Sequence, residues 1–441
     1  MPRLLLVQPS HRSGAGGALV KQRKLHLPGL AFPLLAALAP AHWQVDIRLE
    51  LIEDIDFDDR PDLVGIGAMG HALFRGMEIA QAFRARGIPV FFGGAMASLV
   101  PWLLKEAADS VVIGDAEAAF PRLLADFETG RPLRPVYDLP VESLAGLPVP
   151  RYELLTAKRI GRMLPVQAGR GCHHACTFCS IAAIYRRRYL HRPIPEVVRD
   201  IVEVRRLGFR QFLLIDDNIV SDPTYFLELC RAIEPLGMTW ASQCAISIAE
   251  DERLLAAARR SGCRILSFGL ETVRQEGLDA LEKPWVRTAN HAELLERVAA
   301  AGILPSTEMM VGLDGDTEAS LDATLDFVRK TRLPIPRFYV LTPIPGTALF
   351  DQMKREGRLL HEDLGRFTGY HCVHEPRDIP SGVLDRKYDE LNRRVYALGS
   401  VLRRTLLNPH ILRNPWAYLF AFFVNLQYHA HIRRNDIPVV F

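Results

Sequence analysis

The chain of 441 residues is long enough for two domains and a smaller third, and 49% hydrophobic residues can form a buried core. A net charge of +3 is too small to favour a nucleic-acid partner. Seven cysteines, all at or after Cys172, disfavour a secreted disulfide framework. No apolar run suits a signal peptide or reaches the ~20 residues of a membrane-spanning helix, so we expect a cytoplasmic protein.

Residues 1–130 alternate short apolar runs with amphipathic segments. The pattern predicts strand 3–7, helix 30–41, strand 44–51, strand 63–68, helix 72–86, strand 90–92, strand 110–113 and helix 118–128. This alternation is typical of an α/β domain with a parallel sheet and helices on both faces. Ligands of such sheets bind beyond the carboxyl ends of the strands.

A second alternation follows a segment rich in proline. Five prolines between residues 131 and 151 break both periodicities, so we predict a linker over residues 131–159. We then expect strands 165–168, 211–215, 239–244, 264–269, 306–311 and 337–341, with helices 194–207, 223–235, 252–261, 289–301 and 319–331 between them. These six units predict a partial barrel over residues 160–348, followed by a mainly helical C-terminal domain over residues 349–441.

The loop after the first barrel strand contains Cys172, Cys176 and Cys179. Thiolates at this CxxxCxxC spacing can hold one small cluster, and three ligands on a four-iron cubane leave the fourth iron open. A structural zinc ion prefers four protein ligands. His173 or His174 could supply the fourth, so a zinc-binding interaction module stays an alternative.

This loop, with Phe178 just before its last cysteine, resembles the signature of the radical S-adenosylmethionine (SAM) superfamily. The resemblance implies that the three cysteines are catalytic, hold a [4Fe-4S] cluster and cleave SAM to a 5′-deoxyadenosyl radical. Phe178 would pack against the adenine, and flavodoxin or ferredoxin would donate the electron. Further SAM contacts are expected from residues at later strand ends: Asp216, Asp217, Asn218, Gln243, Glu271 and Gly312.

A Rossmann-like domain before such a barrel resembles the cobalamin-binding domain of class B radical methyltransferases. The absence of GxGxxG at the first helix disfavours a dinucleotide. The resemblance implies cobalamin contacts from Gly65, Met69, Gly70, Gly93, Gly94, Gly114, Asp115 and Glu117. Two bound cofactors would require the two domains to present their strand ends to each other.

Two histidines are candidates for the lower face of cobalt. Segment 9–14 keeps His11 and Gly14 of the D-x-H-x-x-G motif of cobalamin mutases but lacks its aspartate, which would orient the imidazole. We therefore interpret His11 as a loop residue. His71 is interpreted as a surface or helix-capping residue.

The tail resembles a subgroup that includes hopanoid methylases, over residues 353–405. We interpret Tyr370, His371, Cys372 and His374 as packing residues rather than substrate contacts, and Arg186-Arg187-Arg188 as a solvated face. The apolar stretch 416–424, flanked by arginines, is either a helix at a membrane surface or a helix docked on the barrel, and we favour docking.

The resemblance implies a cobalamin-dependent radical methyltransferase that uses methylcobalamin to methylate an unactivated carbon. The apolar tail favours a hydrophobic small-molecule substrate such as a polyprenoid or tetrapyrrole. A cyclase or rearrangement enzyme without methyl transfer, such as one that closes a tetrapyrrole ring, stays an alternative. Such enzymes share the cofactor-binding motifs with the methyltransferases, so the motifs do not separate them. The lack of cysteines near the N-terminus disfavours a methylthiotransferase with a second cluster.

Overall fold

The computed structural model describes residues 1–12, 17–361 and 363–434. Gly14 of segment 9–14 lies outside the described residues. Within them, the core contains two six-stranded sheets and one two-stranded hairpin. Every strand pair of both large sheets is parallel.

The first sheet has the strand order β2-β1-β3-β4-β5-β6. Its elements are β1 (Arg3–Gln8), α1 (Ala31–Leu38), β2 (Gln44–Leu49), β3 (Leu63–Gly67), α2 (Ala72–Arg84), β4 (Val90–Gly93), α3 (Ala95–Leu99), β5 (Ser110–Ile113), α4 (Ala116–Glu128) and β6 (Val136–Asp138). Along β1, Leu4 and Leu6 join one buried cluster while Leu5 and Val7 join another. Alternate side chains therefore face helices on opposite sides, which confirms the predicted doubly covered sheet.

The predicted linker contains the last strand of this sheet. β6 pairs with β5, and its three residues are too short to show a periodicity that sequence reasoning could detect. The following residues pack on the second unit. Gly146 N–H donates to Glu196 Oε1 at 2.8 Å, and the Arg199 guanidinium donates to the Leu147 carbonyl at 2.8 Å. The segment is therefore bonded to its surroundings.

The second sheet has the order β7-β10-β11-β12-β13-β14 and forms the predicted partial barrel. The elements of this unit are α5 (Glu153–Thr156), β7 (Met163–Val166), β8 (Gly169–Gly171), α6 (Ser180–Tyr185), β9 (Tyr189–His191), α7 (Ile194–Arg206), β10 (Gln211–Leu214), α8 (Pro223–Ile233), β11 (Thr239–Gln243), α9 (Glu252–Arg260), β12 (Cys263–Glu271), α10 (Gln275–Ala280), α11 (His291–Ala300), β13 (Leu304–Val311), α12 (Glu318–Thr331) and β14 (Ile335–Val340). Amphipathic helices cover its outer face; α7, for example, buries Val197, Ile201 and Val204.

The strand predicted over residues 165–168 is wrong at its end, because β7 stops at Val166 and an antiparallel hairpin of β8 and β9 follows. Two glycines make this hairpin possible. A Cβ on Gly169 would lie 2.5 Å from the Tyr189 hydroxyl, and one on Gly171 would lie 2.1 Å from the Arg188 carbonyl oxygen. The cysteine loop therefore leaves from a hairpin in which the backbone excludes a side chain at Gly171 and Tyr189 fills the space at Gly169.

The tail is mainly helical, as predicted, with α13 (Ala348–Arg355), α14 (Ser381–Val395), α15 (Leu398–Arg404) and α16 (Pro415–Arg433). One face of α16 docks on α14, α15 and β14, burying Tyr418, Val424 and Tyr428. No helix in the described ranges has the length and apolarity needed to cross a membrane.

Candidate active site

The three cysteines of the loop lie between β8 and α6, at the carboxyl end of the barrel. Cys172 follows β8 directly, and Cys179 is the N-cap residue of α6. A turn joins Cys176 to Cys179 through a backbone hydrogen bond of 3.1 Å. All three thiols are free and half-buried. Phe178 packs in a small apolar cluster with Leu281, Leu313, Leu341, Leu349 and Met353.

The donor set of this loop fits an iron–sulfur cluster. Burial raises the pKa of Cys176 to about 12 and also raises the pKa of Cys179, while the N–H groups of Ile181 and Ala182 favour the Cys179 thiolate. Asn218 Nδ2 lies 3.8 Å from Cys172 Sγ. Hydrogen bonds to the sulfurs and partial burial are what tune such clusters.

No three His, Cys, Asp or Glu side chains of the described residues are arranged to hold a single metal ion. In a cubane each cysteine binds a different iron, so its ligands need not converge on one point.

The polar residues after β10 hold the cysteine loop. Asp216 Oδ1 accepts the Ala168 N–H at 2.8 Å, and Asp217 Oδ2 accepts the Gly171 N–H at 2.7 Å. The pair does not cap the helix that follows, since Asp222 caps α8. Asp216 Oδ2 is buried without a hydrogen-bond partner, and burial raises the pKa of Asp216 to about 7. An orphaned carboxylate oxygen suits an ammonium or hydroxyl donor of a ligand.

Glu271 ends β12 in a left-handed backbone conformation, with a φ of 64°. Its carboxylate forms a salt bridge of 2.7 Å with Lys283. A non-glycine residue in this region of φ/ψ space is uncommon, and such strain often occurs at functional sites. The expected SAM residue Glu271 is therefore held in place by a partner that the sequence pattern did not reveal.

Gly312 follows β13 and is held from both sides. Its N–H donates to Asp316 Oδ2 at 2.9 Å, and its carbonyl lies 3.0 Å from His374 Nε2. Gly312 has a φ of +88°, and a Cβ there would lie 2.6 Å from Leu384. The backbone here is thus fixed by the C-terminal domain.

Gln243 is the last residue of β11 and lines a cavity of about 320 Å³. The same cavity contains Ser267, Glu308 and Arg337, and Phe420 of α16 lines it as well. Arg337 donates to Glu308 Oε1 at 2.6 Å and to Ser267 Oγ at 2.9 Å. A charged pair therefore lies among mainly apolar side chains in this cavity.

A second cavity, of about 290 Å³, lies at the carboxyl ends of the first sheet. Six of the residues expected to bind cobalamin line it: Gly65, Gly93, Gly94, Gly114, Asp115 and Glu117. Gln167, Arg170, Tyr185 and Ile215 of the barrel unit complete the wall. The strand ends of the two units therefore meet around one cavity. Glycines at its floor let a large ligand approach the backbone.

Two of the residues expected to bind cobalamin lie outside this cavity. Met69 and Gly70 do not line this cavity, and the Met69 side chain is 78% exposed. His11 and His71 do not line it either; their rings meet edge to face with centroids 4.6 Å apart. His71 occupies the N-cap position of α2 without a side-chain capping bond, and it is half-buried, so that burial lowers its pKa to about 4.

Asp115 and Glu117 are bound by a residue that sequence reasoning did not single out. Arg170 Nη1 lies 3.0 Å from Asp115 Oδ1, and Arg170 Nη2 lies 2.5 Å from Glu117 Oε1. The Tyr185 hydroxyl also donates to Asp115 Oδ1, at 2.8 Å. The sequence signal for Arg170 was its position between two glycines, two residues before the first cysteine.

The remaining interpretations concern packing and exposure. Cys372 and His374 are buried, with Cys372 Sγ 2.9 Å from the His374 carbonyl, which confirms them as packing residues. Tyr370 and His371 are half-buried. The three arginines 186–188 are exposed, as expected for a solvated face.

Comparison with known proteins relates this geometry to a family. Residues 166–328 match the model of the Radical SAM superfamily. The bacteriochlorophyllide d C-12(1)-methyltransferase of Chlorobaculum tepidum is 27% identical over 96% of this chain and 92% of its own. The hopanoid C-2 methylase of Rhodopseudomonas palustris is 24% identical over 82% of this chain and 72% of its own.

A solved structure shows the same fold. The radical S-adenosylmethionine methyltransferase TsrM from Kitasatospora setae, with tryptophan substrate and a SAM analogue bound, superposes with a TM-score of 0.68 at 16% identity. The superposition covers 98% of each chain. Residues 166–328 are therefore a radical SAM domain, and the protein is an enzyme.

Proposed function

We propose that this protein is a cobalamin-dependent radical SAM methyltransferase that methylates an unactivated carbon of a hydrophobic substrate. The observation that carries the proposal is the cavity at the strand ends of the first sheet. Its wall includes Arg170 and Tyr185, which flank the cysteine loop in the chain. A ligand in this cavity would thus lie beside the site of the cluster. The named methyltransferase relatives support methylation.

Cys172, Cys176 and Cys179 would hold a [4Fe-4S] cluster and leave one iron for SAM. When bound, the cluster and SAM would supply one-electron chemistry, and cobalamin would carry the methyl group. Asp216 would offer its unpaired carboxylate oxygen to a donor on SAM, and Glu271 would present a carboxylate held by Lys283. Phe178 would add an apolar surface.

Three glycines would admit cobalamin to the first cavity: Gly93, Gly94 and Gly114. Gly65 lines the same cavity, but the Phe91 side chain covers its α-carbon. Glu117 Oε2 is buried without a hydrogen-bond partner, so it suits an amide N–H of the ligand. The apolar wall formed by Leu30, Leu34 and Leu35 would cover a nonpolar part of the cofactor. Met69 and Gly70 are left out of the proposed site.

The substrate class follows from the relatives. A bacteriochlorophyllide and a hopanoid, the molecules named for two of them, are both large, polycyclic and mainly apolar. We extend this class to the present chain.

The partners and location of the protein are part of the same proposal. An acidic one-electron carrier, flavodoxin or ferredoxin, would dock at exposed Arg186, Arg187 and Arg188, where Arg187 Nε donates to the carbonyl of His173 in the cysteine loop. The outer face of α16, with Trp416 80% exposed, would touch a membrane surface from the cytoplasm.

The test is anaerobic reconstitution followed by mass analysis of products. We expect about four irons per chain, a bound-cobalamin absorption spectrum and a product heavier by one methylene from a chlorophyllide or hopene probe. The triple variant C172A/C176A/C179A should lose iron, whereas Cys230→Ala, at a buried cysteine of α8, should retain it. Failure to bind cobalamin would overturn the proposal. A product that loses hydrogen without gaining a methylene would favour cyclisation instead.

A further inference from the structure

We propose that Arg170 is a positioning residue that couples the two cofactor sites, so that filling either site strengthens binding at the other. The inference rests on the proposed function and adds a regulatory link to it. Arg170 lies two residues before Cys172, and its guanidinium binds the two carboxylates that line the first cavity. One side chain thus belongs to both sites.

On the side of the cluster, Arg170 is bonded to the hairpin and to Gln167. Its neighbours Gly169 and Gly171 pair with β9, and a side chain on either glycine would clash. The Gly171 N–H donates to Asp217, and Arg170 Nε donates to Gln167 Oε1 at 2.8 Å. A displacement of the Arg170 side chain therefore displaces the strand from which Cys172 leaves.

On the side of the cavity, Asp115 and Glu117 begin α4 directly after Gly114. Tyr185, at the end of the helix that starts after Cys179, donates to the same Asp115 oxygen that Arg170 contacts. Both ends of the cysteine loop are thereby tied to one pair of carboxylates. The salt bridges are buried, since the side chains of Arg170 and Glu117 are only 11% and 10% exposed.

The coupling follows from shared ordering. A ligand that donates to Glu117 Oε2 fixes the start of α4, and this fixes Arg170 and the two ends of the loop. The cluster then binds to a loop that is already ordered, so the loop loses less conformational entropy when the cluster binds. By thermodynamic linkage, the cluster strengthens cobalamin binding by the same factor.

The experiment measures cobalamin affinity with and without the cluster. Hydroxocobalamin is titrated anaerobically into cluster-free and cluster-loaded protein, and binding is followed by quenching of tryptophan fluorescence. For the native protein we expect at least about fivefold tighter binding in the cluster-loaded form. In Arg170→Met both forms should bind with a ratio of affinities near one. Arg186→Met, at an exposed arginine beyond the same loop, should keep the native ratio.

A second measurement uses the reverse direction of the linkage. The rate at which a chelator removes iron should fall in the native protein when cobalamin is present, and should not change in Arg170→Met. If Arg170→Met does not fold, Glu117→Gln takes its place. It keeps the shape of the Glu117 side chain and weakens its salt bridge with Arg170. Equal cobalamin affinities of the two native forms would overturn the coupling alone. So would an unchanged ratio of affinities in a folded Arg170→Met protein. Absence of hydroxocobalamin binding in both native forms would overturn the proposed function as well.

Discussion

Lys283 and Glu271 form a buried ion pair at the carboxyl end of β12, with Nζ 2.7 Å from Oε1. The same ammonium group donates to the Gly269 carbonyl at 2.6 Å. Since Glu271 has a φ of 64°, its backbone conformation is one that L-residues rarely adopt. The ion pair therefore holds the carboxylate of a residue with a strained backbone.

Replacing Lys283 should therefore destabilise the protein. Lys283→Met leaves the Glu271 carboxylate buried without its partner, and we expect a loss of about 3–5 kcal/mol in the free energy of unfolding. Urea unfolding of the apo protein measures this. Lys105→Met, at an exposed lysine of the first unit, should change stability by less than about 0.5 kcal/mol. Equal midpoints for the two variants would contradict the role of the pair.

Gly312 should not tolerate a side chain. Gly312→Ala adds a Cβ 2.6 Å from Leu384 at a φ of +88°, so we expect about 1–3 kcal/mol of destabilisation and weaker SAM binding. Gly382→Ala is the matched control, because Gly382 lies two residues from Leu384 and a Cβ there meets nothing within 4 Å. Thermal unfolding and equilibrium dialysis with SAM test both variants. A Gly312→Ala protein with native affinity for SAM would remove Gly312 from the site.

The contact between His11 and His71 predicts a pH-dependent stability. Burial lowers the pKa of His71 to about 4, below its value of about 6.5 in the unfolded chain. The unfolded chain thus binds more protons between these values, so the stability that neutral His71 contributes is complete above about pH 6.5 and is lost as the pH falls towards 4.

We expect the native protein to lose about 1–2 kcal/mol relative to His71→Gln between about pH 7 and pH 5, because the ring keeps partial contact with solvent. Urea midpoints at several pH values measure the difference. His26→Gln, at an exposed histidine, controls for the loss of a histidine as such. A constant difference between native protein and His71→Gln would show that the ring is not buried.

The docking of α16 depends on Arg404. Its buried guanidinium donates to the Leu333, Pro334 and Val395 carbonyls and to Asn425 Oδ1 of α16. Arg404→Met should cost about 3 kcal/mol, because several buried acceptors lose their donor. The control is Arg403→Met, at an exposed neighbouring arginine, which should hardly change the free energy of unfolding. Faster proteolysis after residue 404 in Arg404→Met alone would report undocking of α16.

The sequence was sufficient for the two parallel sheets because their strands and helices are long enough to show a period. The boundaries of β5 were predicted without error. The hairpin of β8 and β9 was missed, since three-residue strands have no measurable period and depend on the close packing of Gly169 against Tyr189. β6 was hidden in the same way among prolines.

The candidate site was predictable where its residues lie in one short segment or at a strand end. Partners distant in sequence were not. Lys283 is 12 residues from Glu271, and Arg170 is 53 residues from Glu117, so only the fold brings these charges together. Met69 was assigned by its neighbourhood in the chain, and the turn that follows β3 carries it out to solvent.

The segment between the sheets determines how a substrate can enter. Side chains of α7 bond Gly146 and Leu147, so this part of the segment is attached to the barrel unit. We expect this attachment to hold the first cavity at a fixed distance from the cysteine loop. In the proposed methyltransferase, the position of methylation would then depend on how far a rigid substrate enters this gap. The position methylated in substrate analogues of different length would measure that depth.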